Sequence, residues 1–374
     1  MNNLLFIIGT RPEAIKLAPL VIYLKRHYPA LRVMVCLTAQ HRDMLDDVLH
    51  FFSIKADYDL NLMKPNQQLS SLTAAILLKL DEVYESVNPD LVIVQGDTTT
   101  AMAGALAAFY RKISVAHVEA GLRSFELYEP FPEEINRRMI GQIAAYHFCP
   151  TSKAYSNLEK ENLPGKKIVV GNTVIDALLL AKKIMSEKEG IYGEKFSFVQ
   201  AHKRYILVTI HRRENFGEPL KAIGKSLEDM VAAYKNVEVV IPVHPNPNVK
   251  SFMEDTFSNN EKVHLLSALP YDELIWLMNK SFFVVTDSGG IQEEAPSLGK
   301  PVLVVRNVTE RMEGVDAGTA LLVGNEYDKL YAAMKLLLDS EAAYGAMSSV
   351  SNPYGDGESS KRICEILIPG SVEI

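Results

Sequence analysis

The amino-acid sequence predicts an α/β protein made of two doubly wound domains with parallel sheets, and three observations carry that expectation. Short β-branched runs alternate with segments of helical periodicity along the whole chain. Most of those runs are apolar on both faces, as strands covered by helices on each side must be. The length of 374 residues corresponds, at roughly 150 per domain, to about two and a half domains.

The strands are expected at Leu4–Ile8, Val33–Leu37, Leu91–Val94, Val115–Val118, Ile168–Val170, Tyr205–Ile210, Val237–Val243, Phe282–Thr286, Pro301–Val305 and Ala320–Val323. With weaker runs added, about ten to twelve strands exceed what one twisted sheet holds comfortably, so two sheets are expected. Between them, Leu17, Leu20, Val21 and Leu24 keep the i, i+3, i+4, i+7 spacing of a helix face, and Leu72, Ile76, Leu80 and Val83 trace another stripe. A polar stretch with Pro and Gly, Glu161–Lys167, marks the seam between domains. A second loop, Ser351–Gly357, precedes a last short helix over Ser360–Leu367.

Composition narrows the function. Hydrophobic residues at 48% and charged ones at 23% are ordinary for a globular protein and argue against disorder. The formal net charge of −7 disfavours nonspecific nucleic-acid binding, leaving local basic clusters free to meet a small anion. Cys36, Cys149 and Cys364 lie far apart without metal-ligand or disulfide-framework spacing. The first residues lack the basic region of a signal peptide, and no run approaches membrane-span length, so a cytoplasmic location is expected.

In doubly wound sheets, ligands bind at the carboxyl ends of the strands, and the chemistry-bearing residues follow the predicted strands directly. After the first strand, GTRPEAIKLAP (9–19) is a glycine turn feeding a helix start with Arg11 and Lys16, which reads as an anion site or as a turn with surface charges. QGDTTT (95–100) places Asp97 where an N-cap is also common. HVEAGLRS (117–124) puts Glu119 at a strand end, and PEEINRR (132–138) opens a helix in which Glu133 and Arg137 have the spacing of a surface ion pair. Carboxylates arriving from three successive strand ends can leave one protonated and another poised as a base. The second half supplies cations and donors: His211 in TIHRREN (209–215), His244 in PVHPNP (242–247), and TDSGGIQEEAP (286–296). There Ser288, Gly289 and Gly290 let backbone amides close on a phosphate, and Glu294 can accept from both hydroxyls of a ribose. Neither a GxGxxG nor a Walker pattern occurs, so no NAD site is expected.

The segments GTRPEAIKLAP, QHRDML, VQGDTTT, HVEAGLRS, PEEINRR, GNTVIDA, HRREN, PVHPNP, TDSGGIQEEAPSLGKPVLVVR and NPYGDG together resemble the bacterial non-hydrolysing UDP-N-acetylglucosamine 2-epimerases, in that family's order over practically the entire chain. The resemblance implies two Rossmann-like domains facing a cleft in a glycosyltransferase-B-like fold, with the last helix crossing back. Residues 1–166 with 358–374 would form the first domain and 167–357 the second. It also implies a homodimer, no NAD or metal requirement, and reversible conversion of UDP-GlcNAc to UDP-ManNAc for cell-surface polysaccharides. The implied route eliminates UDP to a bound 2-acetamidoglucal and adds it back.

Carried over by motif, Asp97, Glu119 and Glu133 are the essential carboxylates, and His211 assists departure of the β-phosphate. Arg11, Lys16, Arg137, His244, Arg311 and the Ser288–Gly290 turn line the UDP site, Glu294 takes the ribose, and Leu269–Leu274 holds the uracil through backbone groups. Gln40, His41 and Arg42 correspond to residues that bind a second, activating UDP-GlcNAc. The alternatives are a hydrolysing epimerase, a glycosyltransferase of the same fold and a non-catalytic nucleotide-sugar sensor.

Overall fold

A computed structural model describes residues 1–38, 42–62 and 67–369, with only the backbone of 42–44. The chain divides into two compact units, Met1–Leu180 with Tyr354–Ile374, and Ala181–Pro353.

The first unit opens with β1 (Asn3–Ile8), α1 (Arg11–His27), β2 (Arg32–Leu37), α2 (Arg42–Phe51) and β3 (Tyr58–Asp59). It continues through α3 (Leu69–Val87), β4 (Leu91–Gln95), α4 (Thr99–Tyr110) and β5 (Ser114–Val118). Then come α5 (Glu133–Ile143), β6 (Tyr146–Cys149), α6 (Ser152–Lys160), β7 (Lys166–Val169) and α7 (Thr173–Ser186), inside which the division falls. Among the described residues its sheet has seven strands in the order β3-β2-β1-β4-β5-β6-β7, and every pairing is parallel.

The expected stripes behave as a core should. Leu17, Leu20, Val21 and Leu24 of α1 are buried, and Leu72, Ile76, Leu80 and Val83 of α3 pack with Leu5, Ile7, Val92 and Val94 of the sheet. Truncating one such fully buried leucine to alanine costs about 2–5 kcal/mol.

The second unit contains α8 (Glu189–Lys195), β8 (Arg204–Thr209), α9 (Glu218–Ala233), β9 (Val237–Pro242), α10 (Pro247–Phe257) and β10 (Val263–Leu266). These lead into α11 (Tyr271–Lys280), β11 (Phe283–Thr286), α12 (Gly289–Glu294) and β12 (Val302–Val304). The unit ends with α13 (Met312–Ala317), β13 (Ala320–Leu322), α14 (Tyr327–Asp339) and α15 (Glu341–Ser348). Its parallel sheet runs β10-β9-β8-β11-β12-β13 over a core that includes Ile206, Val208, Leu227, Val239, Ile241 and Val285. Both sheets therefore reverse their winding between the first and fourth strand of the unit, where doubly wound folds open a site.

The last helix, α16 (Ser359–Leu367), returns to the first unit and packs on α1 through buried Ile363, Cys364 and Leu367. Asp176 of α7 fixes its start, accepting from the N–H groups of Ser359 (3.3 Å) and Ser360 (2.6 Å).

Two expectations need correction. The units part within α7 instead of at residue 166, because β7 is paired along its length with β6 and holds the chain to the first sheet. Three strands, β3, β6 and β10, fall outside the apolar runs singled out in the sequence. They are short, at two to four residues, and β3 lies at the sheet edge with Asp59 exposed. No helix among the described residues is long and apolar enough to cross a membrane.

Candidate functional site

In the first unit the turns after β1 and β4 adjoin at the reversal of strand order. Gly9 leaves β1 so close to α4 that a Cβ on it would come within 2.2 Å of Thr100 Oγ1, which is why the turn carries glycine. Arg11 begins α1 as expected. The amides ahead of it are not open to an anion, however. The buried carboxylate of Glu13, at the third helical position, accepts from Gly9 N–H (2.8 Å), Thr10 N–H (2.6 Å) and the Thr10 hydroxyl (2.9 Å), and also from Thr98 Oγ1 (2.6 Å). Burial pushes its pKa up to about 6 against the lowering of those hydrogen bonds.

Asp97 follows β4 but does not cap α4. Thr98 does that, accepting from Ala101 N–H at 3.0 Å. The Asp97 carboxylate instead faces Arg137, Oδ2 to Nη2 at 3.0 Å. Arg137 is thus turned to Asp97 instead of the expected side-chain pair with Glu133, and its Nε donates to the Glu133 backbone carbonyl at 3.3 Å.

Glu119 directly follows β5 in a left-handed backbone conformation (φ +65°), a geometry that costs a non-glycine residue of order 1–3 kcal/mol and recurs at functional sites. Its carboxylate accepts from Lys16 Nζ at 2.5 Å and from Gln95 Nε2, and lies beside Gly96. Lys16 is accordingly committed to a carboxylate, and Asn172 Nδ2 reaches the same group at 3.5 Å.

Glu133 starts α5, so Glu119 and Glu133 share the β5–β6 crossover instead of marking separate strand ends. Its Oε2 is buried and has no hydrogen-bond partner among the described residues. Its neighbour Glu134, fully buried, takes the structural bonds: Ser124 N–H at 2.9 Å and Arg138 Nε at 2.8 Å. Gln40 and His41 lie outside the described residues, and of Arg42 only its place at the start of α2 is described.

In the second unit the reversal falls between β8 and β11, and it joins His211 to Asp287. Asp287 is completely buried and accepts from His211 N–H (3.0 Å), Arg212 N–H (2.9 Å), Asn215 Nδ2 (2.9 Å) and His211 Nδ1 (2.9 Å). Burial raises its pKa, but the His211 hydrogen bond and charge, with the other donors, outweigh that and hold it below the usual carboxylate range. An ionised Asp287 on Nδ1 fixes the ring tautomer and leaves Nε2 as the working edge of a side chain that is 39% exposed. His244, after β9, stacks on His211 with ring centroids 5.8 Å apart. Burial and then the His211 charge push its pKa down.

Ser288 caps α12 and its N–H is already donated to Thr286 Oγ1 at 2.9 Å, so of the expected amide cluster Gly289 and Gly290 stand in the first turn, where N–H groups have no intrahelical acceptor. Arg311 lies against Gly289, held by Glu293 Oε1 at 2.9 Å. Glu294 is buried at the end of the same helix and accepts from Tyr271 Oη at 3.0 Å, which brings the start of α11 to the ribose candidate. Leu274, by contrast, sits within α11 and its N–H is spent on the Pro270 carbonyl at 3.1 Å. That end of the uracil segment has no free backbone donor at this residue.

Sequence reasoning passed over Glu13, Gln95, Asp287 and Tyr271. The first three lie inside or beside segments already singled out, and their position just before or after a strand end was the available signal. Tyr271 lies inside the Leu269–Leu274 segment assigned to the uracil through backbone groups, and only its hydroxyl contact with Glu294 gives its side chain a place in the site.

The chain matches the family model described as UDP-N-acetylglucosamine 2-epimerase over residues 24–368. It is 48% identical to the UDP-N-acetylglucosamine 2-epimerase of Neisseria meningitidis serogroup A, covering 98% of this chain and 99% of the relative. With that of Bacillus subtilis the identity is 50%, covering 97% and 94%. The fold superposes on a crystal structure of the Neisseria meningitidis enzyme bound to UDP-GlcNAc with a TM-score of 0.90, covering 98% and 99% of the chains at 48% identity. A Methanocaldococcus jannaschii UDP-GlcNAc 2-epimerase in complex with UDP-GlcNAc and UDP gives 0.82 at 35% identity, covering 98% and 99%.

Proposed function

The chain belongs to the UDP-N-acetylglucosamine 2-epimerase family and is an isomerase, and we propose that it inverts C2 of UDP-GlcNAc by eliminating and re-adding UDP. The C2 hydrogen beside an acetamido group is too weakly acidic for direct removal, and no dinucleotide fingerprint provides for oxidation at that carbon. When the C1–O bond breaks, its electron pair leaves with UDP and the developing charge at C1 acidifies the C2 hydrogen. A base takes that proton, and the C2–H pair becomes the C1=C2 bond of 2-acetamidoglucal. Proton delivery to the opposite face of C2, with the β-phosphate oxygen rejoining C1, gives UDP-ManNAc.

The observation that carries this reading is the uncommitted carboxylate oxygen of Glu133. A general base needs a lone pair that the fold has not already used. Asp97 is paired with Arg137 and Glu119 with Lys16 and Gln95, whereas Glu133 Oε2 is buried without a partner among the described residues. Glu133 is therefore assigned as a proton acceptor from C2, with Asp97 and Glu119 acting on the other face and on the developing charge.

A nucleotide sugar has an anionic end as well, and the second unit suits it. With Nδ1–H held by Asp287, His211 in its protonated form donates from Nε2 to the departing β-phosphate, the Gly289 and Gly290 amides and Arg311 meet the diphosphate, and Glu294 takes the ribose. Arg11 and His244 add donors at the other strand ends. The product supplies ManNAc units for cell-surface polysaccharides, and Gln40, His41 and Arg42 serve an activating second UDP-GlcNAc. Turnover by Glu133→Gln, Asp97→Asn and Glu119→Gln tests the assignment: each folds, and each loses about 10²–10⁴-fold in kcat. A variant that keeps wild-type turnover removes its residue from the mechanism.

A further inference from the structure

Asp97 lies in a short turn, Gly96-Asp97-Thr98, and a different element grips each residue of it. His117 of β5 donates from Nε2 to the Gly96 carbonyl at 2.7 Å. Asn136 of α5 donates from Nδ2 to the Asp97 carbonyl at 2.9 Å. Glu13 of α1 accepts from the Thr98 hydroxyl at 2.6 Å. Gly96 takes a left-handed conformation (φ +69°), and its own N–H donates to Val118 at 3.0 Å, so the turn is tied to the β5 backbone too. We propose that His117, Asn136 and Glu13 are positioning residues that hold this turn, and through it the Asp97 carboxylate, in the geometry the reaction needs. The proposal rests on the reading of Asp97 as a reacting carboxylate.

All three side chains are buried, with at most 4% of their surface exposed, where a polar group is costly unless it is hydrogen-bonded. Each one spends a bond on the same turn. His117 is the most telling. A carbonyl can only accept, so Nε2 carries the proton and Nδ1 is the bare nitrogen, and burial keeps the ring neutral with a pKa pushed down to about 3. Nδ1 is buried with no partner among the described residues. A buried imidazole with one nitrogen unsatisfied is a poor packing choice against an apolar ring of similar shape, and the bond it does make goes to the Asp97 turn.

The other two grips connect that turn to the rest of the site. Asn136 and Arg137 are consecutive on α5 and take the backbone and the side chain of Asp97 respectively. Glu13 also accepts from the Gly9 and Thr10 N–H groups, so one carboxylate joins the turn that carries Arg11 to the turn that carries Asp97. Displacements of about 1 Å at a reacting group can cost 10²-fold in rate.

The test is a set of double-mutant cycles on conversion of UDP-GlcNAc to UDP-ManNAc. His117→Phe keeps a ring and removes only the Nε2 bond, Asn136→Ala removes the second grip, and Glu13→Gln weakens the third. Each is measured alone and in the Asp97→Asn background, with circular dichroism confirming the fold and UDP affinity measured alongside. Each single variant is expected to lose about 10–100-fold in kcat. His117→Phe and Asn136→Ala should leave UDP affinity within about twofold, and in the Asp97→Asn background each substitution should cost less than about twofold more.

Losses that multiply with that of Asp97→Asn mean a general structural effect and overturn the positioning role, leaving Asp97 as a catalytic group. Wild-type kcat in all three single variants overturns it as well. Near-wild-type turnover by Asp97→Asn itself overturns the catalytic reading and the positioning role with it. Should His117→Phe fail to fold, the Asn136→Ala cycle decides the same question.

Discussion

Asp287 draws four donors onto one buried carboxylate, and two of them belong to His211. Asp287→Asn removes the charge that holds the His211 tautomer, so kcat should fall by at least about 10²-fold, as when other histidine-orienting carboxylates are neutralised. UDP-GlcNAc turnover at saturation checks it, and unchanged kcat would remove the His211–Asp287 pair from the mechanism. Glu13 gives a pH signature in stability. Its pKa in the folded chain, about 6, lies above the ordinary 4.5, so its contribution is complete below pH 4.5 and is lost as pH rises through 6. The stability advantage of the wild type over Glu13→Gln should shrink by about 2 kcal/mol between pH 4.5 and pH 7, read from urea unfolding at each pH. A constant advantage would contradict the burial that raises this group. At this scale the sequence was informative where a residue directly follows a strand, as Asp97, Glu119 and His211 do. It could not show which carboxylate is already paired, because Arg137 meets Asp97 from 40 residues away in the chain and nothing in local spacing favours that partner over Glu133.

The element that returns, α16, depends on one side chain of α7. Asp176→Ala leaves the Ser359 and Ser360 N–H groups without their acceptor, at a cost of about 1–3 kcal/mol. The thermal midpoint should fall, and proteolysis should release the C-terminal segment before the rest of the chain. An unchanged midpoint would mean that the packing of Ile363, Cys364 and Leu367 holds α16 unaided. The helix itself was legible in the sequence to within one residue, since it follows a loop with two glycines and a proline and has a compact apolar face. The long buried strands were legible too, being continuous β-branched runs. Tyr146–Cys149 and Val263–Leu266 were not, because a His within a four-residue strand breaks the apolar run that identifies it. The seam was displaced for a related reason. A polar Pro/Gly stretch marks a surface loop, but only strand pairing decides which unit keeps β7.

For the whole molecule, composition and charge pointed to a small anionic ligand, and family membership makes that ligand a nucleotide sugar. The homodimer implied by the family resemblance has a candidate surface on the first unit, where Leu78 of α3 and Phe109 and Tyr110 at the end of α4 are all more than half exposed. Light scattering should give twice the chain mass, and Leu78→Glu with Phe109→Glu should return it to one. A wild-type monomer would contradict the dimer. The central claim, epimerisation by elimination at C2, is tested most directly by proton NMR of UDP-GlcNAc incubated with the purified protein in heavy water, without NAD and with EDTA present. UDP-ManNAc should accumulate to an equilibrium mixture, with deuterium entering C2 of both sugars as turnover proceeds. Epimerisation that keeps the original C2 hydrogen, or release of free ManNAc in step with UDP, would contradict it.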